Sequence, residues 1–347
     1  MKRLIALFLT AFMLVLALAA CTTETNESSV AESSAASLPE SVAEQSENDI
    51  QYGVRIAGMK GPTSIGLVGL LEESDANHKN VYEFTLAGAA DEITPKLIKG
   101  ELDIAAVPAN LASVLYNNTS GKIKLLAVNN LGVLYIVAKN ATVSSVEDLR
   151  GKTILATGKG TTPEYTLRHI LKENGIDPDT DVTLDFKSEA TEVVAAMAQA
   201  ESAVAMLPQP YVTVASNKIE GLQTVLDLNE EWAKIDPESA IVTGVIVVRD
   251  EFAKENPEAV KVFLEDYKKS IEAVNADAAA AAKLVVKHGI FENEAVIAKA
   301  IPYCNLKYIA GGDMKGTVNA YLTVLYNQNP KSVGGKLPED DFYYTAE

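Results

Sequence analysis

The chain has 347 residues, 30 Lys and Arg against 47 Asp and Glu, and a formal net charge of −17. An acidic chain with no basic block gains nothing from a phosphate backbone, which argues against nucleic-acid binding. Its two cysteines and three scattered histidines, His78, His169 and His288, offer neither a disulfide framework nor a His-x₃-His or Cys-x₂-Cys spacing, so no metal site is expected.

The chain opens on Lys2 and Arg3, an apolar run from Leu4 to Leu18, then small residues. That order predicts a secretory signal over 1–20. The run is shorter than the ~20 residues a spanning helix needs. Leu18-Ala19-Ala20-Cys21 is similar to the lipobox of bacterial lipoproteins. It implies cleavage before Cys21 and lipidation there, and several acyl chains would anchor the protein firmly to a membrane surface. Residues 22–48 hold seven Ser and six Glu with no Lys, Arg or aromatic residue. Such a stretch buries too little apolar surface to order itself, so 21–49 reads as lipidated Cys plus tether. Loss of Lys2 and Arg3 would take the charge from −17 to −19.

From Tyr52 onward strand and helix patterns alternate, which predicts an α/β fold with mostly parallel sheets. Strands are expected at 52–58, 82–88, 102–108 and 122–128, with helices at 64–74 and 91–100. The same grammar returns as strands at 152–158, 181–186 and 203–208, with helices at 163–175 and 192–200. A strand within 240–252 then leads into an amphipathic helix opened by Pro257, and two further helical patterns follow.

At an offset of 100, LIKGELDIAAVPANLASV (97–114) lies over MAQAESAVAMLPQPYVTV (197–214). Glu101, Ala105, Pro108 and Val114 meet Glu201, Ala205, Pro208 and Val214 without a gap. KGPTS (60–64) likewise echoes KGTTP (159–163). Order, loop chemistry and spacing together predict two similar α/β lobes. Chain crossings near 129–138 and 240–248 would form a two-segment hinge suited to closure around a ligand.

Both echoing loops end parallel strands, where ligands sit in open α/β sheets. In the second loop Thr162 is placed as N-cap, Pro163 as the first helical residue and Glu164 in the first turn. A helix start of this kind favours a polar or anionic group. It is not a phosphate loop, because no Gly-Lys-Ser/Thr ending follows. A lone Cys304 reads as a small buried hydrophobe. Trp232 is compatible with stacking on a ligand ring or with anchoring a surface helix.

The lipobox, the acidic tether and the segments LIKGELDIAAVPANLASVLY, VSSVEDLRGKTILATGKGTTPEYTLRHIL, AMLPQPYVTVA and VIVVRDEFAKENPEAVKVFLEDY resemble ABC-importer substrate-binding lipoproteins. The nearest group looks like the binders of nitrate, taurine, alkanesulfonates and thiamine-precursor pyrimidines. The resemblance implies a type II periplasmic-binding-protein fold, with lobe 1 at 50–133 and 243–347 and lobe 2 at 134–242. It implies a monomer that binds a small solute and delivers it to membrane ABC permease subunits. The protein would have no cofactor or catalytic residue and would lie lipid-anchored on the extracytoplasmic face of the bacterial cell membrane. Carried onto this chain, it places Lys60, Thr63, Gly88, Ala89, Asn110, Thr161, Thr162, Gln209, Tyr211 and Thr243 around the ligand. Many relatives carry an acidic residue where Gln209 stands. A surface receptor on the same fold, or a pyrimidine-synthase-like enzyme, are the alternatives; the enzyme would need a His and a cysteine cluster that the candidate loops lack.

Overall fold

The computed structural model describes residues 51–73 and 78–345, so the signal, Cys21 and the tether lie outside the described residues. The first stretch runs β1 (Tyr52–Met59), α1 (Pro62–Ile65), α2 (Val68–Glu73), β2 (Asn80–Ala87), α3 (Ala90–Ile98), β3 (Ile104–Pro108), α4 (Ala109–Asn118) and β4 (Ile123–Leu131). The second runs β5 (Leu134–Lys139), β6 (Thr153–Ala156), α5 (Thr162–Glu173), β7 (Thr183–Phe186), α6 (Ala190–Gln199), β8 (Ala203–Pro208), α7 (Tyr211–Lys218), β9 (Leu222–Asp227) and α8 (Leu228–Ile235). The third runs β10 (Val242–Arg249), α9 (Asp250–Glu255), α10 (Pro257–Ala276), α11 (Ala278–Lys287), α12 (Glu294–Ala300), β11 (Leu306–Ala310) and α13 (Gly312–Gln328).

Two sheets result, in the orders β11-β4-β10-β3-β1-β2 and β7-β6-β8-β5-β9. Laid against each other, β2-β1-β3-β10-β4 matches β7-β6-β8-β5-β9 strand for strand. In both, the first strand of the repeat pairs in parallel with two neighbours: β1 with β2 and β3, β6 with β7 and β8. In both, the next strand pairs antiparallel with one from elsewhere in the chain, β3 with β10 and β8 with β5. The 100-residue offset therefore has a structural counterpart. Pro108 and Pro208 each close a strand, opposite Gly244 and Leu134 respectively.

The strands in the middle read as apolar runs because both their faces are covered. Val245, Ile246, Val247 and Val248 are all fully buried, and so are Ile104 to Val107. Each of the Val and Ile side chains among them stabilises the fold by ~1.5–3 kcal/mol relative to exposure. The C-terminal segment covers β4: Phe342 is buried, and Tyr344 donates its backbone N–H to Leu125 O at 2.9 Å.

The chain passes from the first sheet to the second at Gly132-Val133 and returns between α8 and β10. The Gly132 carbonyl accepts the side-chain amides of Asn229 at 2.9 Å and Asn305 at 3.2 Å, which ties the first crossing to the elements around the second. A side chain at Gly132 has no room, since its Cβ would lie 1.8 Å from Asn229 Oδ1.

One helix departs from expectation. The pattern at 64–74 predicts a continuous helix, but the chain forms α1 and α2 with a break at Gly66-Leu67. Ser270 on α10 explains it: its hydroxyl donates to Gly66 O at 2.7 Å and accepts from Gly69 N–H at 2.9 Å. A side chain on another helix thus takes the place of a regular intrahelical turn.

Candidate functional site

The carboxyl ends of β1 and β3 and the start of β10 converge on one small region. Thr63 follows β1, on α1, and Asn110 follows β3, on α4; both are buried. Thr243 and Gly244 open β10, and Asn129 and Asn130 close β4. A Cβ at Gly244 would lie 2.2 Å from Asn130 Oδ1, 2.4 Å from Asn129 Oδ1 and 2.7 Å from Thr63 Cγ2, so three elements, β10, β4 and α1, meet at this glycine. The β10–β4 register shifts on both sides of Gly244, which is how two consecutive asparagines come to face it.

Asn129 Nδ2 donates to Thr63 O at 2.9 Å, and Asn130 Nδ2 donates to Leu131 O at 3.3 Å. The Oδ1 atoms of both residues and Oγ1 of Thr243 are buried without a hydrogen-bond partner. Native proteins satisfy nearly all such atoms, so three together make this a candidate site.

The second sheet presents its own carboxyl edge. Thr161, not Thr162, is the N-cap of α5, with extended backbone, and Pro163 stands at the second helical position. The shift follows from the loop: Gly158 and Gly160 adopt φ of 79° and 75°, and Thr161 Oγ1 turns back to donate to Gly158 O at 2.7 Å. These glycines serve the turn itself, since L side chains rarely adopt that backbone. The loop caps itself as well: Gly160 N–H donates to Glu164 Oε2 at 2.6 Å, and Arg168 pairs with the other oxygen at 2.8 Å. The Gly88-Ala89 turn is answered in the same way, both N–H groups donating to Glu92 Oε1 at 3.1 Å.

The two edges touch. Thr162 Oγ1 donates to Asn110 Oδ1 at 3.3 Å, and Asn110 Nδ2 donates to Ser332 O at 3.2 Å. Deeper in, the Thr166 and Tyr321 hydroxyls are 2.9 Å apart. Tyr211 meets Phe291 edge-on at 6.2 Å between centroids, and burial pushes its hydroxyl pKa up. Gln209 is buried before a cis peptide to Pro210, and its Oε1 accepts from Thr213 Oγ1 at 2.9 Å. Lys60 is exposed, and its backbone N–H reaches Ala87 O at 3.1 Å, beside the exposed Gly88 and Ala89.

Of the expected residues, the structure brings Asn110 to Thr162, and Thr63 to the Thr243-Gly244 start of β10. No described contact brings Gly88 or Ala89 to the second sheet. Asn129 and Asn130 escaped the sequence reading, although two asparagines ending an apolar strand were a signal, since Asn is depleted in strands.

Trp232 takes the second role the sequence allowed and anchors α8, whose Glu230 and Lys234 stay exposed. It is buried, donates Nε1–H to Ser239 Oγ at 2.8 Å, and packs against His169 and Tyr321 at 4.7 and 5.5 Å. Cys304 is fully buried, which pushes its thiol up to about 12. His288 caps α11 and lies 2.8 Å from Glu72. Glu73, His78 and Asp266 present ligand atoms within 4.8 Å of one another, a grouping that spacing alone did not reveal. Asp266 there already accepts from Tyr82 at 2.6 Å. A groove of about 830 Å³ lined by Ile98, Lys122 and Arg249 lies at the opposite end of β4 and β10. No described helix is long and apolar enough to cross a membrane.

Comparison with known proteins adds the following. Residues 123–281 match the NMT1/THI5-like family model. A candidate binding protein of Brucella abortus is 31% identical over 147 residues, 42% of this chain and 44% of that protein. The chain thus aligns with less than half the length of the curated relatives it matches. An ABC transporter structure from Parabacteroides distasonis is 24% identical at a TM-score of 0.73, over 86% of this chain and 100% of that one. The periplasmic aliphatic sulphonate binding protein SsuA of Escherichia coli is 16% identical at 0.67, over 85% and 92%. The periplasmic nitrate-binding protein NrtA of Synechocystis is 12% identical at 0.59, over 80% and 82%. With its two matching sheets and double crossing, the chain has the type II periplasmic-binding-protein fold seen in these structures.

Proposed function

We propose that this protein is the solute-binding component of an ABC importer, a non-enzymatic monomer that captures a small organic or anionic solute and delivers it to membrane permease subunits. The two sheets are the cores of two lobes, 50–133 with 243–347 and 134–242, which close about the solute between their carboxyl edges. A signal over 1–20 and lipidation at Cys21 hold it on the extracytoplasmic face of the bacterial membrane. The 27-residue stretch 22–48 then separates the lipidated Cys21 from the body that meets the permease.

The observation that carries this reading is the meeting of two equivalent strand edges, joined by Asn110 and Thr162, over a cluster of buried unpartnered polar atoms. Ligand sites of open α/β sheets lie at this end of the strands. Paired crossings allow closure without disturbing either core. The names of the structural neighbours support the same reading by fold.

A thermal-shift screen tests it, with hydroxymethylpyrimidine, thiamine, riboflavin, taurine, alkanesulfonates, nitrate and bicarbonate as probes. A solute at 100 times its Kd stabilises the native state by about 2.7 kcal/mol. A shift with one probe is the expected result. Turnover of a probe into product would contradict the non-enzymatic part.

A further inference from the structure

The cluster around Gly244 has a definite polarity. Asn129 and Asn130 are almost wholly buried, at 1% and 0% exposure. Their nitrogens are committed to carbonyl oxygens of Thr63 and Leu131, which fixes both amides and leaves oxygen as the spare atom. Thr243 Oγ1 adds a third buried oxygen without a partner, on the residue next to Gly244. The two amide oxygens only accept hydrogen bonds, whereas the Thr243 hydroxyl accepts or donates, so what completes the asparagine pair must donate.

Three backbone donors of the candidate loops are already engaged. Glu92 accepts the N–H groups of Gly88 and Ala89, and Glu164 accepts that of Gly160. An anion approaching these loops therefore meets carboxylates where backbone N–H groups would have received it.

We infer that the solute presents N–H or O–H donors, and no anionic group, at the end seated against Asn129, Asn130 and Thr243. This rests on the solute-binding reading above and narrows its ligand class to neutral or cationic donors such as amides, amines and N–H heterocycles.

The test uses the full chain and two probe sets in parallel titrations. Cytosine, nicotinamide and ethanolamine offer donors without an anion; nitrate, ethanesulfonate and acetate offer the anion. The expected result is a response from the first set alone. The variant Thr243→Val then weakens the responding probe about tenfold, the worth of one hydrogen bond, while the solute-free melting temperature stays put. A response from the anions alone overturns the ligand class and leaves the binding reading standing. No response from either set overturns the binding reading as well. A Thr243→Val protein that binds as tightly as the parent, or that melts lower without solute, overturns the role given to that hydroxyl.

Discussion

The two sheets share a strand order and a loop grammar, yet their carboxyl edges are finished differently. In the second, polar groups are spent locally: Thr161 on Gly158, Gly160 on Glu164, Gln209 on Thr213. In the first, the Gly88-Ala89 turn is likewise spent on Glu92, but Asn129, Asn130 and Thr243 keep oxygens without a hydrogen-bond partner. Repeating a frame does not repeat its chemistry. The second edge is largely self-capped, and the first retains buried oxygens without a partner. On this account the first sheet recognises and the second closes over.

Substitution at Gly244 breaks the first edge most severely. Gly244→Val places carbon against two amide oxygens and Thr63, where 2.2 to 2.7 Å is the space available. Overpacking of this kind costs about 1–3 kcal/mol. Urea unfolding is expected to show that loss, and solute binding is expected to vanish with it. Retained stability would mean that the asparagines move aside easily.

A smaller effect sharpens the contrast between edges. Thr161→Val removes a hydroxyl that donates to Gly158 O, so it is expected to cost about 1 kcal/mol of stability, with little change in affinity. The matched change at Thr243 removes a hydroxyl with no partner and is expected to do the reverse. Equal stability losses at both positions would erase the distinction drawn here.

The smallest expected effect is a pH slope where the second sheet's helices meet α13. His169 is half-buried against Trp232, and burial lowers its pKa from 6.5. As pH falls below 6.5 the unfolded chain takes up this proton before the folded one does, so stability present above 6.5 is lost below it. His169→Gln is expected to flatten that part of a melting-temperature profile between pH 7 and pH 5. An unchanged profile would assign the slope to other groups.

The frame was legible in the sequence because it rests on periodicity and punctuation. The 100-residue offset, the strand-closing Pro108 and Pro208 and the helix start at Pro163 are local features that survive into the fold. What was not legible depends on partners far along the chain. The break at Gly66 is set by Ser270, and the burial of Trp232 by Tyr321, neither of which a local pattern contains. The N-cap slipped by one residue because a threonine can bond backward to a glycine carbonyl as readily as forward to a helix. Asn129 and Asn130 were visible as residues, but only the register shift at Gly244 turns both toward one place.

The most direct test of closure between the sheets is a pair-distance measurement across the edges. Lys60→Cys and Lys159→Cys carry spin labels on the two echoing loops, both exposed, with Cys21→Ser removing one of the two native thiols. Cys304 is buried and its thiol is pushed up to about 12, so it does not compete for label. The account predicts a longer, broader distribution without solute, and one that shortens and narrows when a binding solute is added. A distribution that stays the same while the solute binds would contradict it.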